Sequence, residues 1–285
     1  MSHPLHTQHE RTYQQSRFVY PVLSRRSGGL SLGINLNPDK VCNFDCIYCQ
    51  VDRTGHRETR FVEMDRLLAE LSEMLQWIKS GRIFASDKFR STPNELRRLN
   101  DIAFSGDGEP TTYRNFDAII QACADVKRSA GAKQAKMVLI TNASMFQRPH
   151  VARGLEILDA NQGEIWAKLD AGSEAYYQMV CRAPIPWRRI LENITNAARI
   201  RPLVIQSLFM RAGGVPPSAD ELEAYCRRLQ EIVAAGGRLA LVQIYTVARP
   251  PAENNVSPLT AAEVEAIGRL VCRRTGLPTA VFPGG

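Results

Sequence analysis

Three cysteines fall within eight residues, in the run Cys42-Asn43-Phe44-Asp45-Cys46-Ile47-Tyr48-Cys49. Their spacing is Cys-x3-Cys-x2-Cys, and a loop this short points its thiolates toward one shared centre. Three soft sulfur donors are what a metal ion or an iron–sulfur cluster requires. A [4Fe–4S] cube held by four cysteines is saturated. Held by three, it keeps one iron open to a ligand, by the logic that separates open from closed zinc sites. The next cysteine in the chain is Cys123, so the spacing favours an open iron. A Cys-x2-Cys redox pair leaves Cys42 unexplained. A zinc ion held by the three cysteines and His56 is the competing reading.

Further polar residues stand at the ends of apolar runs. Asp101-Ile102-Ala103-Phe104-Ser105 leads into Gly106-Asp107-Gly108-Glu109-Pro110-Thr111-Thr112. Glycines let backbone groups approach a small polar ligand closely, and the proline stiffens the turn. The strand at Met137-Val138-Leu139-Ile140 ends at Thr141-Asn142, where Asn142 is placed to cap a following helix. In Glu164-Ile165-Trp166-Ala167-Lys168-Leu169-Asp170, a period of two puts Lys168 and Asp170 on one side. Charges turned inward there must be paired or liganded. Arg249, in Arg249-Pro250-Pro251-Ala252-Glu253, follows the sixth strand and is a candidate contact for an anionic substrate.

Cys42-x3-Cys46-x-Tyr48-Cys49, with its aromatic residue before the third cysteine, resembles the signature of the radical S-adenosylmethionine (SAM) superfamily. Gly106 to Pro110 is similar to that superfamily's Gly-Gly-Glu-Pro motif, with one residue between the glycines. The resemblance implies a [4Fe–4S] cluster on Cys42, Cys46 and Cys49, with the open iron chelating the amino and carboxylate groups of SAM. An electron then splits the sulfonium to methionine and a 5′-deoxyadenosyl radical. It further implies Tyr48, Gly106, Gly108, Glu109, Pro110 and Asn142 as SAM contacts, and flavodoxin or ferredoxin as the low-potential electron donor. From the strand pattern, Lys168 is the candidate partner of the SAM carboxylate, and Asp170 that of a hydroxyl or of Lys168.

Ser31 to Leu36, Phe104 to Thr111 and Arg249-Pro250-Pro251 resemble one branch, that of the tRNA wyosine-base synthases. Those enzymes hold a second cluster through cysteines upstream of the SAM motif and use a lysine near it. Residues 1–41 contain no cysteine, although Lys40 is close to the motif. The expectation is a single-cluster enzyme that abstracts hydrogen from an unidentified substrate, a small molecule or tRNA. The alternatives are a wyosine-type tRNA guanosine modification enzyme, and a zinc-stabilised RNA-binding module without catalysis.

These residues need a scaffold that brings strand ends together. Apolar periodicity predicts helices over 62–80, 115–130, 187–200, 218–235 and 260–274, and strands over 30–36, 101–105, 137–140, 164–170, 203–209 and 239–247. Strict β–α alternation implies a parallel sheet with helices outside. Right-handed crossovers would curl six such units into most of a barrel, two units short of a complete one. The expected class is therefore α/β, a partial (β/α)6 TIM-like barrel of the radical SAM type. Site residues at strand ends suit it.

Hydrophobic content of 44% and charged content of 23% are those of a globular chain. The expected organisation is a flexible arm over 1–17, carrying His3, His6 and His9, and one radical SAM core over 18–285. No apolar run approaches the roughly 20 residues needed to span a bilayer, and the polar N-terminus has no secretory-signal core. Seven cysteines, three clustered and four scattered, argue against a disulfide framework and for a reducing, cytoplasmic compartment. Cys123, Cys226 and Cys272 read as core thiols, while Cys181 ends a helix beside Arg182. The net charge of +7 permits a polyanionic partner. Arg182, Arg188, Arg189, Arg199 and Arg201 read as solvated helix faces or as an RNA-facing patch.

Overall fold

A computed structural model describes Leu5 and residues 13–51, 61–251 and 253–284. His3, His6, His9 and His56, with most of the expected arm, lie outside the described residues. The chain sorts into two compact units. One comprises Met1–Cys42, His56–Ile140 and Arg148–Glu164; the other comprises Asn43–Gly55, Thr141–Gln147 and Ile165–Gly285.

The first unit opens with a hairpin that the sequence reading missed: β1 (Val19–Ser24) pairs antiparallel with β2 (Gly29–Ile34). Helix α1 (Met64–Lys79), β3 (Leu99–Phe104), α2 (Phe116–Ser129), β4 (Lys136–Thr141) and α3 (Pro149–Asp159) follow. Strands β2, β3 and β4 pair in parallel, as the alternation demands. All six residues of β2 are buried, the signature of a strand covered on both faces. Leu67, Leu71, Met74 and Leu75 give α1 its buried stripe. Glu70 shares that stripe because its carboxylate accepts from the backbone amides of Arg17, Phe18 and Val19 at 2.8–3.1 Å and from Arg66 at 2.9 Å. It satisfies donors at the entry to β1 that would otherwise be buried unpaired.

Asp101 in β3 is 3% exposed and accepts from the Ser31 hydroxyl of β2. Burial pushes its carboxyl above the ordinary value, against the opposing hydrogen bond. A carboxyl that holds its proton more tightly folded than unfolded costs stability as pH rises from about 3.9 through its raised folded value. The cost is fully present above that window. Asp101→Asn keeps an acceptor for Ser31 and is expected to raise the thermal midpoint at pH 7 by about 2 °C or more. At pH 3 it should change nothing. Melting curves at the two pH values check this; equal shifts at both would sink it.

The second unit carries β5 (Gly163–Lys168) from Ile165 onward, α4 (Glu174–Cys181), α5 (Trp187–Ile200), β6 (Leu203–Leu208), β7 (Met210–Ala212), α6 (Ala219–Ala234), β8 (Leu239–Tyr245), β9 (Val256–Pro258), α7 (Ala261–Thr275) and β10 (Thr279–Phe282). Strands β5, β6, β8 and β10 pair in parallel in that order, and β7 pairs antiparallel with β9. The six expected strands are β2, β3, β4, β5, β6 and β8; β1 and β10 lie beyond them. Thr260 and Glu263 cap α7 reciprocally, as a Thr-x-x-Glu start favours.

Two expectations need correction. Cys123 and Cys226 are buried but Cys272 is exposed, because the buried stripe of α7 runs through Val264, Ile267, Gly268 and Val271 and Cys272 sits at its edge. Among the arginines, Arg188 pairs with Glu192 on the solvated face of α5, whereas Arg201 is only 8% exposed.

Candidate functional site

In the first unit, β3 delivers the chain into the Gly106–Pro110 loop, which packs on the run leading into Cys42. A Cβ at Gly108 would stand 2.0 Å from the Val41 carbonyl oxygen and 2.7 Å from the Asn37 side chain; one at Gly106 would stand 2.3 Å from Asn35 Oδ1. Asn35 Oδ1 accepts from the Asp107 and Asn37 amides at 3.2 and 3.0 Å, and its Nδ2 donates to Asp107 at 2.8 Å. The glycines thus admit the protein's own groups, the Asn35 side chain at 106 and the Val41 carbonyl at 108. Glu109, 3% exposed, accepts from the Thr111 amide at 3.2 Å and its hydroxyl at 2.5 Å. It braces the turn at Pro110, which opens a short 3-10 segment through Thr112.

The second unit holds the remainder of the cysteine loop. Phe44 is buried with its ring edge-on to Tyr177. The Asp45 and Ile47 amides donate to the carbonyls of Cys181 and Val180 at 3.2 and 2.9 Å, so the C-terminal carbonyls of α4, which lack helical partners, receive the loop. The Cys181 thiol hydrogen-bonds Cys46 and holds it below the ordinary cysteine value, against burial and the Asp170 carboxylate; the same bond and burial push Cys181 up. Cys181 was visible in the sequence, but its neighbour was not.

Asn142 Nδ2 donates to Asn43 Oδ1 at 2.8 Å, Asn43 Nδ2 donates to the Ser144 hydroxyl at 2.8 Å, and Asn142 Oδ1 accepts from the Ser144 amide at 3.0 Å. The helix-cap reading of Asn142 falls, because α3 starts only at Pro149. At the far end of the loop, Gln50 Nε2 donates to the Arg249 carbonyl at 3.0 Å.

Tyr48, Lys168 and Asp170 are brought together. The Tyr48 hydroxyl donates to Asp170 Oδ2 at 2.5 Å, and Asp170 Oδ1 accepts from the Leu208 amide at 2.8 Å. Lys168 Nζ lies 3.0 Å from Asp170 Oδ1 and donates to the Tyr245 hydroxyl at 2.5 Å. It sits 5.1 and 4.8 Å from the ring centres of Tyr48 and Tyr245, within cation–π range. Burial pushes the Tyr48 phenol well above its ordinary value, and the Asp170 charge adds to that, so Tyr48 stays protonated and donates. Burial pulls the Lys168 ammonium down, but Asp170 and Tyr245 outweigh it and the net shift is upward. Nothing in the sequence pattern marked Tyr245.

Among the described residues, none of the cysteines is in a disulfide, and no three His, Cys, Asp or Glu side chains are grouped to hold a metal ion. A single zinc draws its thiolates to about 2.3 Å from one point. A cluster binds each thiolate to a different iron, so its ligands stand farther apart. Three half-buried thiols within eight residues of sequence supply soft donors of the type an iron–sulfur cluster takes.

A family model described as the radical SAM superfamily matches residues 36–229, which fixes the partial-barrel α/β class expected from the sequence. A UPF0026 protein of Helicobacter pylori (strain ATCC 700392 / 26695) is 27% identical over 81% of this chain, which spans 66% of that relative's length, under two thirds. A UPF0026 protein of Methanocaldococcus jannaschii is 28% identical over 57% of this chain and 43% of its own. Among solved structures, "Structure of TYW1 with a lysine-pyruvate adduct bound" aligns at 14% identity and a TM-score of 0.46, covering 87% of this chain and 74% of that one.

Proposed function

Because the chain belongs to the radical SAM superfamily, we propose that it cleaves SAM reductively and uses the 5′-deoxyadenosyl radical to abstract hydrogen from a substrate. Cys42, Cys46 and Cys49 would hold the [4Fe–4S] cluster. When bound, the cluster supplies the electron and SAM supplies the adenosyl group.

The protein's own part is to orient and shield. The Gly106–Pro110 loop, braced by Glu109, offers backbone acceptors to the amino group of SAM. Asn142 takes the ribose, with Asn43 and Ser144 fixing its amide plane. Lys168 and Asp170 meet the polar groups of SAM as a paired unit with no net charge. Tyr48 presents a ring held by its hydroxyl, and Arg249 meets an anionic substrate. Excluding oxygen belongs to the same task, since it would add to the carbon radical and oxidise the cluster. Flavodoxin or ferredoxin is the electron donor, and the setting is the cytoplasm. Among the described residues no helix is long and apolar enough to cross a membrane.

The observation that carries this reading is the Cys42-x3-Cys46-x-Tyr48-Cys49 run inside a chain matched to the family over residues 36–229. The test is anaerobic reconstitution with iron and sulfide, addition of SAM and dithionite, and quantification of 5′-deoxyadenosine by mass spectrometry. Iron, sulfide and 5′-deoxyadenosine formation are expected. A colourless protein that holds one zinc and no iron overturns the reading in favour of a zinc-stabilised module. A tRNA cross-link that weakens steeply with salt would place the substrate among nucleic acids.

A further inference from the structure

Several protein groups tie down the cysteine loop of the second unit, and one of the ties runs to a buried carboxylate. Asp170 is 4% exposed and sits just beyond β5, with each oxygen already engaged. Oδ1 takes the Leu208 amide at the end of β6 at 2.8 Å and the Lys168 ammonium at 3.0 Å. Oδ2 takes the Tyr48 hydroxyl at 2.5 Å. Lys168 in turn is fixed by the Tyr245 hydroxyl of β8 at 2.5 Å. One carboxylate therefore links β6, β5 and, through Lys168, β8 to a side chain lying between two of the three cysteines. A hydrogen bond to an ionised acceptor is shorter and stronger than a neutral one, and a network of them in a low-dielectric site resists deformation.

We propose that Asp170 is a positioning residue for cluster assembly: it grips the Tyr48 hydroxyl so that the segment bearing Cys46 and Cys49 is aimed before any iron is bound. The inference rests on the radical SAM reading and goes beyond it, because it gives Asp170 and the Tyr48 hydroxyl a task in the protein without its cofactors. The other ties are complementary. Val180 and Cys181 hold the backbone of residues 45–47, while Asp170 holds the side chain at 48. Loss of an outer partner that orients ligands typically lowers metal affinity by about 10–100-fold.

Tyr48→Phe keeps the ring over Lys168 and removes only the tie. Asp170→Asn keeps an acceptor for Leu208 and a polar partner for Tyr48. Tyr225→Phe is the control, because it removes another buried tyrosine hydroxyl bond in the same unit, 2.6 Å to Ser207, that does not reach the loop. Three readouts are taken on the full chain: amide exchange at Asp45 and Ile47 without iron, the rate of anaerobic iron and sulfide loading, and the electron paramagnetic resonance signal of the reduced cluster.

Tyr48→Phe is expected to speed exchange at those amides several-fold, slow loading about tenfold and broaden the signal. Asp170→Asn, which also leaves the Lys168 ammonium without its carboxylate, should slow loading at least as much as Tyr48→Phe, and Tyr225→Phe should match the parent in all three. If Tyr48→Phe exchanges and loads like the parent, Asp170 is not a positioning residue. If Tyr225→Phe loads as slowly as Tyr48→Phe, the effect is general destabilisation and the proposal falls. If the parent itself takes up no cluster, the radical SAM reading fails and takes the proposal with it.

Discussion

Cys46→Ala is expected to leave a folded chain that takes up little iron and forms no detectable 5′-deoxyadenosine. Cys46 is half-buried, so truncating it costs little packing. The loop around it keeps its hold through Phe44, the Val180 and Cys181 carbonyls and the Tyr48–Asp170 bond. What is lost is one of three thiolates proposed to bind the cluster, and two cannot replace three. Losing a direct ligand should lower loading by more than the roughly 100-fold that losing an outer partner costs. Cys42→Ala and Cys49→Ala should behave alike, whereas Cys272→Ala, on the exposed edge of α7, should match the parent. Iron and sulfide per chain, circular dichroism and product formation separate the cases. A Cys46→Ala protein with parent iron content would remove Cys46 from the proposed ligand set.

Gly108→Ala should destabilise the protein by about 1–3 kcal/mol, the usual cost of forcing an extra carbon into a packed site, and should lower cluster loading as well. The new Cβ would stand 2.0 Å from the Val41 carbonyl oxygen, a backbone atom that cannot rotate aside, so the main chain must move. Val41 immediately precedes Cys42, and the displacement passes directly to a proposed ligand. Thermal unfolding and iron content read the two effects together. A Gly108→Ala chain that melts and loads like the parent would mean the loop yields elsewhere, and the close approach would lose its role.

The sequence alone determined what rests on local repetition and spacing. Three thiols in eight residues share one loop whatever the rest of the chain does, because the backbone cannot separate them. Apolar periods of two and of three to four marked six strands and the main helices, since burying one face demands those periods. Elements of weaker contrast, β1 and β10, escaped; the helix expected after Asn142 exists, but α3 starts only at Pro149, which left Asn142 in an Asn43–Ser144 hydrogen-bond set rather than at a helix cap.

Tertiary structure decided who meets whom across long separations. Tyr48 and Asp170 are 122 residues apart, and Lys168 and Tyr245 are 77 apart. Strand register, with Lys168 opposite Gln206 and Leu208 opposite Tyr245, sets which polar side chains share a face and at what height. No local pattern records register, because it follows from how whole strands pack. The same holds for the glycines at 106 and 108. Their spacing read as space left for a ligand, and only the fold placed Asn35, Asn37 and the Val41 carbonyl in that space.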